Sequence, residues 1–251
     1  MTEQLKLTGM VISSMPVGEY DKRLVLLTTQ RGKITAFSRG SRRPKSAMLG
    51  ATEPFAFGEF MLVPGRDAYT LVAASISNYF MELREDLEAA CYGFYFLEFA
   101  TYYARENIDG TPLLKLLYQT LRVLCRRMID FKLVRRIYEL KILVLEGEYP
   151  QCHSCCHCGS SENLAYFSFF SCGVVCENCR GKEHGLKRLH PSTIYTMQYI
   201  VSSPVEKLYT FTVAPEVLKD LDNVMEHYLK LHIDKPFKSL EMLDLIISPG
   251  F

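Results

Sequence analysis

The stretch Arg23-Leu-Val-Leu-Leu-Thr-Thr-Gln-Arg-Gly-Lys-Ile-Thr-Ala-Phe-Ser-Arg39 decides the fold. Arg23–Thr29 is rich in Leu, Val and Thr and reads as a strand. Gln30-Arg31-Gly32-Lys33 is a hairpin turn, with Gly32 as the residue expected at positive φ. Ile34–Arg39 is the returning strand. Upstream, residues 4–13 form another strand, and Met15-Pro16-Val17-Gly18-Glu19 reads as a loop from its Pro and Gly. Downstream, Phe55–Val63 and Tyr69–Tyr79 are two more strands, joined by Pro64-Gly65-Arg66-Asp67. Five strands within about eighty residues close most naturally into a small OB-type barrel, because closure removes the sheet edges.

Helical periodicity follows. Residues 84–107 carry Phe94, Tyr95, Phe96, Phe99, Tyr102 and Tyr103 on too many sides for one stripe, which predicts a central helix. Asp109-Gly110-Thr111-Pro112 breaks it, with Thr111 as N-cap and Pro112 opening the next helix. Helices are predicted over Leu113–Arg127, Phe131–Glu146, 192–202 and Pro215 to Leu231. The tail from Lys235 to Leu240 is expected to dock through Phe237 and Leu240. The fold class is therefore α+β. It has a five-stranded OB-type barrel over 1–80 and a helical domain over 81–251, into which a cysteine-rich segment, 150–182, is inserted.

That segment holds seven of the nine cysteines. Cys155/Cys158 and Cys176/Cys179 are two Cys-x-x-Cys pairs with 17 residues between them. Each pair turns two sulfurs toward one point, and two pairs complete a tetrahedron suited to Zn2+. Gly159 follows the first pair, where the turn calls for positive φ. Cys152, Cys156, Cys172, His153 and His157 lie close enough to be alternative ligands. A disulfide cluster is the competing interpretation, disfavoured because the cysteines are confined to one segment. Four thiolates leave no open position for a reactive water, so the metal is expected to be structural. No His-x-Glu motif of a zinc deaminase occurs, and no enzymatic activity is expected.

No apolar run reaches 18 residues, so no membrane span is expected. Met-Thr-Glu-Gln-Leu-Lys at the N-terminus has no apolar export core, so a cytoplasmic place is expected. Net charge is only +1, but its distribution is uneven. Residues 1–50 carry nine Lys/Arg against three Asp/Glu, and residues 111–150 carry eight against four. Residues 81–110 and 191–251 are net acidic. On the barrel, Lys22, Arg23, Arg39, Arg42, Arg43 and Lys45 are candidates to follow a phosphate backbone. Phe37 or Tyr20 is a candidate to stack a base. The loop Gly40–Ser46 reads as a mobile basic arm. A sequence-specific zinc finger, with Arg180, Lys182, Lys187 and Arg188 beside the metal, is one alternative. A purely protein-binding barrel is another.

Several ordered motifs resemble the RecO family of bacterial recombination mediators in the RecF pathway. They are Gly18-Glu-Tyr-Asp-Lys-Arg-Leu-Val-Leu-Leu-Thr28, Gly32-Lys33, Arg39-Gly-Ser-Arg-Arg43 and Pro54-Phe-Ala-Phe-Gly58. Tyr138-Glu-Leu-Lys141 through Gly147-Glu-Tyr-Pro150, before the cysteine pairs, completes the set. The resemblance implies a non-enzymatic protein that binds single- and double-stranded DNA and anneals complementary strands. It also implies that, with RecR, such a protein loads RecA onto strands covered by the single-strand-binding protein SSB. A cytoplasmic, nucleoid-associated location follows. SSB-like proteins end in an acidic, apolar tail, for which Arg122, Arg126, Lys132 and Arg135 on two amphipathic helices are candidate contacts.

Overall fold

The computed structural model describes residues 4–247. These form two compact units: residues 4–126 with 237–247, and residues 127–236.

The first unit opens with a closed barrel. Its strands are β1 (Leu5–Val17), β2 (Asp21–Thr28), β3 (Gly32–Ser38), β4 (Phe57–Pro64) and β5 (Tyr69–Asn78). They run in the order β1-β2-β3-β5-β4, with β4 pairing back to β1. The β3–β5 pair is parallel and the others are antiparallel. This is the expected OB-type closure. Period-2 alternation sends Leu7, Val11, Leu24, Leu26, Ile34, Ala36, Phe60, Leu62 and Leu71 into one core. Gly32 has φ +59 in the β2–β3 turn as expected, and a Cβ there would meet the Arg105 carbonyl oxygen at 2.2 Å.

Two expectations about the barrel change. Met15-Pro16-Val17 is not a loop: β1 continues through it, with Pro16 opposite Lys22 and Val17 opposite Asp21. Proline is tolerated there because it stands at the strand's end, where a missing N–H costs least. The stretch after Arg39 is not a loose arm either. Arg43 N–H donates to Gly40, Ser46 N–H to Arg43 and Leu49 N–H to Ser46, giving successive hydrogen-bonded turns. Gly40 N–H is further tied to Asp21 Oδ1 at 2.8 Å.

Three helices complete this unit: α1 (Leu87–Tyr103), α2 (Thr111–Arg126) and α6 (Lys238–Ile247). The last barrel strand ends at Asn78, while the compact unit runs on through α1 and α2. Asp86 caps α1 by accepting the N–H groups of Glu88 and Ala89. As expected, α1 is central, with Tyr92, Tyr95, Phe96 and Phe99 wholly buried. It stops four residues short of its predicted end, because residues 105–110 bond the barrel instead. Lys33 N–H donates to the Arg105 carbonyl, Asn107 N–H to Arg31 and Gly110 N–H to Thr29. These fixed acceptors replace the helical ladder. The tail docks as foreseen: Phe237 is buried against Tyr95, Phe99 and Tyr102. The Glu98 carboxylate accepts both the N–H and the hydroxyl of Ser239, holding the start of α6.

The second unit contains α3 (Phe131–Glu146), α4 (Pro191–Ser202), α5 (Pro215–His232) and a small sheet ordered β7-β6-β8. Its strands are β6 (Leu164–Ser168), β7 (Gly173–Cys176) and β8 (Lys187–Arg188). The predicted span of α3 matches the structure, with Asp130 as N-cap and Gly147 closing it at φ +77.

Candidate metal centre and nucleic-acid interface

The sheet of the second unit positions the cysteines. Cys155 and Cys158 flank a tight turn closed by Gly159 N–H donating to the Cys155 carbonyl, and Gly159 takes φ +73. Cys176 ends β7 and Cys179 lies in the 3-10 turn that follows. The pairing of β7 with β6 brings this second pair back over the first. All four Sγ atoms lie within 4.8 Å of one another. Metal–sulfur bonds of ~2.3 Å in a tetrahedron require sulfur–sulfur edges of ~3.8 Å, and Cys158 and Cys176 stand 3.7 Å apart. This quartet has the donor set and spacing to hold one metal ion.

Its electrostatics agree with that role. Burial alone would raise the Cys155 thiol, but N–H donors from Cys176, His157 and Cys158 outweigh it and lower the thiol to about 6. Cys179 is pushed up to about 12, by burial and by hydrogen bonds that keep it protonated beside the other sulfurs. A divalent cation at their centre would resolve this conflict, because it would favour all four thiolates together. The other cysteines of the segment fall elsewhere. Cys152 is wholly buried, its thiol is pushed up to about 12 by that burial, and its carbonyl accepts from Gln198. Cys156 turns its sulfur toward the Ser171 carbonyl at 3.7 Å.

A clamp around this centre gives no signal in sequence. Glu183 accepts from Ser168, from Ser171 Oγ at 3.0 Å and from His157 Nε2 at 3.1 Å. It ties the first cysteine loop to the β6–β7 turn, as partners around a metal site commonly do. Lys187 and Arg188 do not form a free basic edge. Lys187 pairs with Asp220, while Arg188 pairs with Glu177 and lies over the Tyr166 ring.

On the barrel, the candidate cations divide by strand alternation. Arg23 points outward from β2, and Arg39, Arg43 and Lys45 are exposed just beyond β3. Lys22 is a correction. It shares the inward side with Leu24 and Leu26, is 7% exposed, and pairs with Glu53 at 2.6 Å. The alternation around Arg23 would have excluded it. Arg42 is exposed, but it donates to the carbonyls of Gly18 and Glu19 at 3.3 and 3.2 Å and so braces the β1–β2 loop. Arg43 lies over the Tyr20 ring, 5.4 Å from its centroid.

The tail-binding candidates are divided between the units. In the first, Arg122 is half-buried and Arg126 exposed on α2. In the second, Lys132 is exposed on α3. Arg135 is a second correction: it is committed to the buried Glu139 at 2.8 Å, with its side chain only 14% exposed.

Residues 1–80 match the family model described as Recombination protein O N terminal, and residues 84–241 match Recombination protein O C terminal. The chain belongs to the RecO family. A DNA repair protein RecO of Alkaliphilus metalliredigens is 32% identical, with 95% of this chain and 98% of the relative covered. Proteins of the same name from Acetivibrio thermocellus and a Thermoanaerobacter species are 30% and 29% identical, each over 95% or more of this chain. The closed barrel followed by helices is thus the fold of a RecO DNA repair family member. Among the described residues, no helix is long and apolar enough to cross a membrane.

Proposed function

We propose that this RecO family chain is a non-enzymatic recombination mediator. It binds single- and double-stranded DNA without sequence preference and anneals complementary strands. With RecR it promotes RecA loading onto SSB-covered strands, in the nucleoid-bearing cytoplasm. The observation that carries this reading is the exposed set Arg23, Arg39, Arg43 and Lys45 at one end of a closed OB-type barrel. Annealing brings together two polyanions, and a fixed cationic surface lowers their repulsion while releasing counterions. No covalent step is needed. Zn2+ held by Cys155, Cys158, Cys176 and Cys179 would supply a cross-link in place of a larger apolar core.

Fluorescence anisotropy of labelled random-sequence DNA against salt tests this. A mediator binds any strand with a steep negative salt dependence. A sequence-specific finger would demand one duplex sequence, and a protein-only scaffold would leave the anisotropy unchanged. For the SSB tail, Arg126 and Lys132 are the exposed candidates. Equal affinity of a tail peptide for wild type and Arg126→Glu would remove Arg126 from that contact.

A further inference from the structure

We propose that Phe37, on the outer face of the barrel, is a stacking platform for an unpaired nucleobase. The proposal rests on the DNA-binding reading above and deepens it. Strand alternation turns residues 15 and 17 of β1, 23 of β2, 37 of β3, and 70 and 72 of β5 to the same outer surface. Met15 faces Arg23, Arg23 faces Phe37 and Phe37 faces Thr70 across three successive strand pairs. These four side chains therefore make one continuous rung, with directly opposed Cβ atoms about 5 Å apart.

The surface of this rung is apolar where a solvated barrel face is usually polar. Met15 is 52% exposed, Val17 41%, Phe37 36% and Val72 48%. Single exposed apolar residues are ordinary. Four on one face, around a guanidinium that makes no hydrogen bond or ion pair among the described residues, are a different matter. A flat aromatic ring beside an available cation is the recognition chemistry for a base and its phosphate. Arg39 follows β3 directly and extends the cationic track from Phe37.

The alternative stacking residue, Tyr20, is 39% exposed, but one face of its ring is already engaged by a cation. The Arg43 guanidinium lies over its ring, and its carbonyl accepts Arg42 N–H at 2.9 Å. The base-binding surface is thereby assigned to Phe37. A duplex keeps its base faces stacked internally and cannot offer one to this ring. The platform therefore makes the barrel favour single strands, while the surrounding arginines serve both forms.

The chain has no tryptophan, so Phe37→Trp creates a single tryptophan at the proposed site, excited selectively at the red edge where the tyrosines do not absorb. The probes are oligothymidylate and a relaxed, covalently closed circular duplex without loops or ends, each also followed by anisotropy. Oligothymidylate is expected to quench Phe37→Trp saturably, whereas the bound duplex body leaves its emission unchanged. Phe37→Ala is expected to weaken oligothymidylate binding about tenfold and duplex binding less than twofold. Phe37→Leu, which keeps apolar bulk without a ring, should behave like Phe37→Ala, with far-UV circular dichroism matching wild type in each case. Anisotropy showing bound oligothymidylate with no change in Trp emission would overturn the platform. So would equal losses for both DNAs in Phe37→Ala. Wild type that binds neither DNA would overturn the DNA-binding reading itself, and the platform with it.

Discussion

Glu139→Ala is the perturbation whose size the structure sets most directly. The Glu139 carboxylate is completely buried on α3. It accepts Arg135 Nε at 2.8 Å on one oxygen and Arg136 Nη1 at 2.8 Å on the other. Arg136 is itself 3% exposed and donates its Nε to Asp222 of α5. Burial by itself would lower the Arg136 pKa, but Glu139 and Asp222 overcome that and hold it above its ordinary value. Removing Glu139 leaves a buried guanidinium with one half-exposed acidic partner and a like charge beside it. Breaking a buried pair in this way costs about 3–5 kcal/mol. At roughly 2–4 °C per kcal/mol for a chain of this size, the thermal midpoint should fall by about 6–20 °C. Urea unfolding followed by circular dichroism at fixed pH and salt measures the loss directly. Replacing Arg136, Glu139 and Asp222 together with apolar residues of similar volume should cost much less, because no charge is then stranded. A Glu139→Ala loss under about 1 kcal/mol, or a triple variant less stable than the single one, would refute this account of α3 packing.

Five further outcomes follow. Native mass measurement should find one zinc per chain, lost in Cys158→Ser and retained in Cys156→Ser; retention in Cys158→Ser would reassign the quartet. Ala at both Arg39 and Arg43 should flatten the salt dependence of single-strand affinity by about 1.4 in log–log slope, at ~0.7 per phosphate contact. Arg42→Ala should act chiefly on stability, since its guanidinium is bonded to backbone carbonyls; a slope change as large as Arg43→Ala would contradict that division. Lys141→Met strips three donors from the carbonyls of Ile200, Val201 and Ser203 at the end of α4. About 3 kcal/mol of stability should go with them, as read by urea unfolding. Burial raises the Glu183 carboxyl, but donors from Ser168, Ser171 and His157 hold it below its ordinary value. Its contribution is therefore present above the unfolded value near 4.3 and is lost as pH falls through the lower folded value. Glu183→Gln should shrink that acid-side loss in an unfolding series across pH, and an unchanged series would remove the clamp.

Much of the barrel was legible because period-2 alternation and a Gly-centred turn are local signals, as Arg23–Arg39 shows. The helix over Phe131–Glu146 was legible from its apolar periodicity. The clustering of the four cysteines was legible because each Cys-x-x-Cys pair converges within four residues. What failed was non-local. Nothing in the chain near Pro16 announces that it pairs with Lys22, and nothing in 104–107 shows that the β2–β3 turn will bond the Arg105 carbonyl and the Asn107 N–H.

Sequence alone therefore settled most of the barrel strands, the long helices and the paired thiols, since these depend on neighbours a few residues away. Tertiary structure alone decided which charges remain available. It buried Lys22 against Glu53, tied Arg135 to Glu139 and spent Arg42 on two carbonyls. It left Arg23 and Phe37 side by side and open to solvent. A charged side chain reads the same in any sequence. Whether it meets water or a partner depends on residues dozens of positions away, brought close only when the chain has folded.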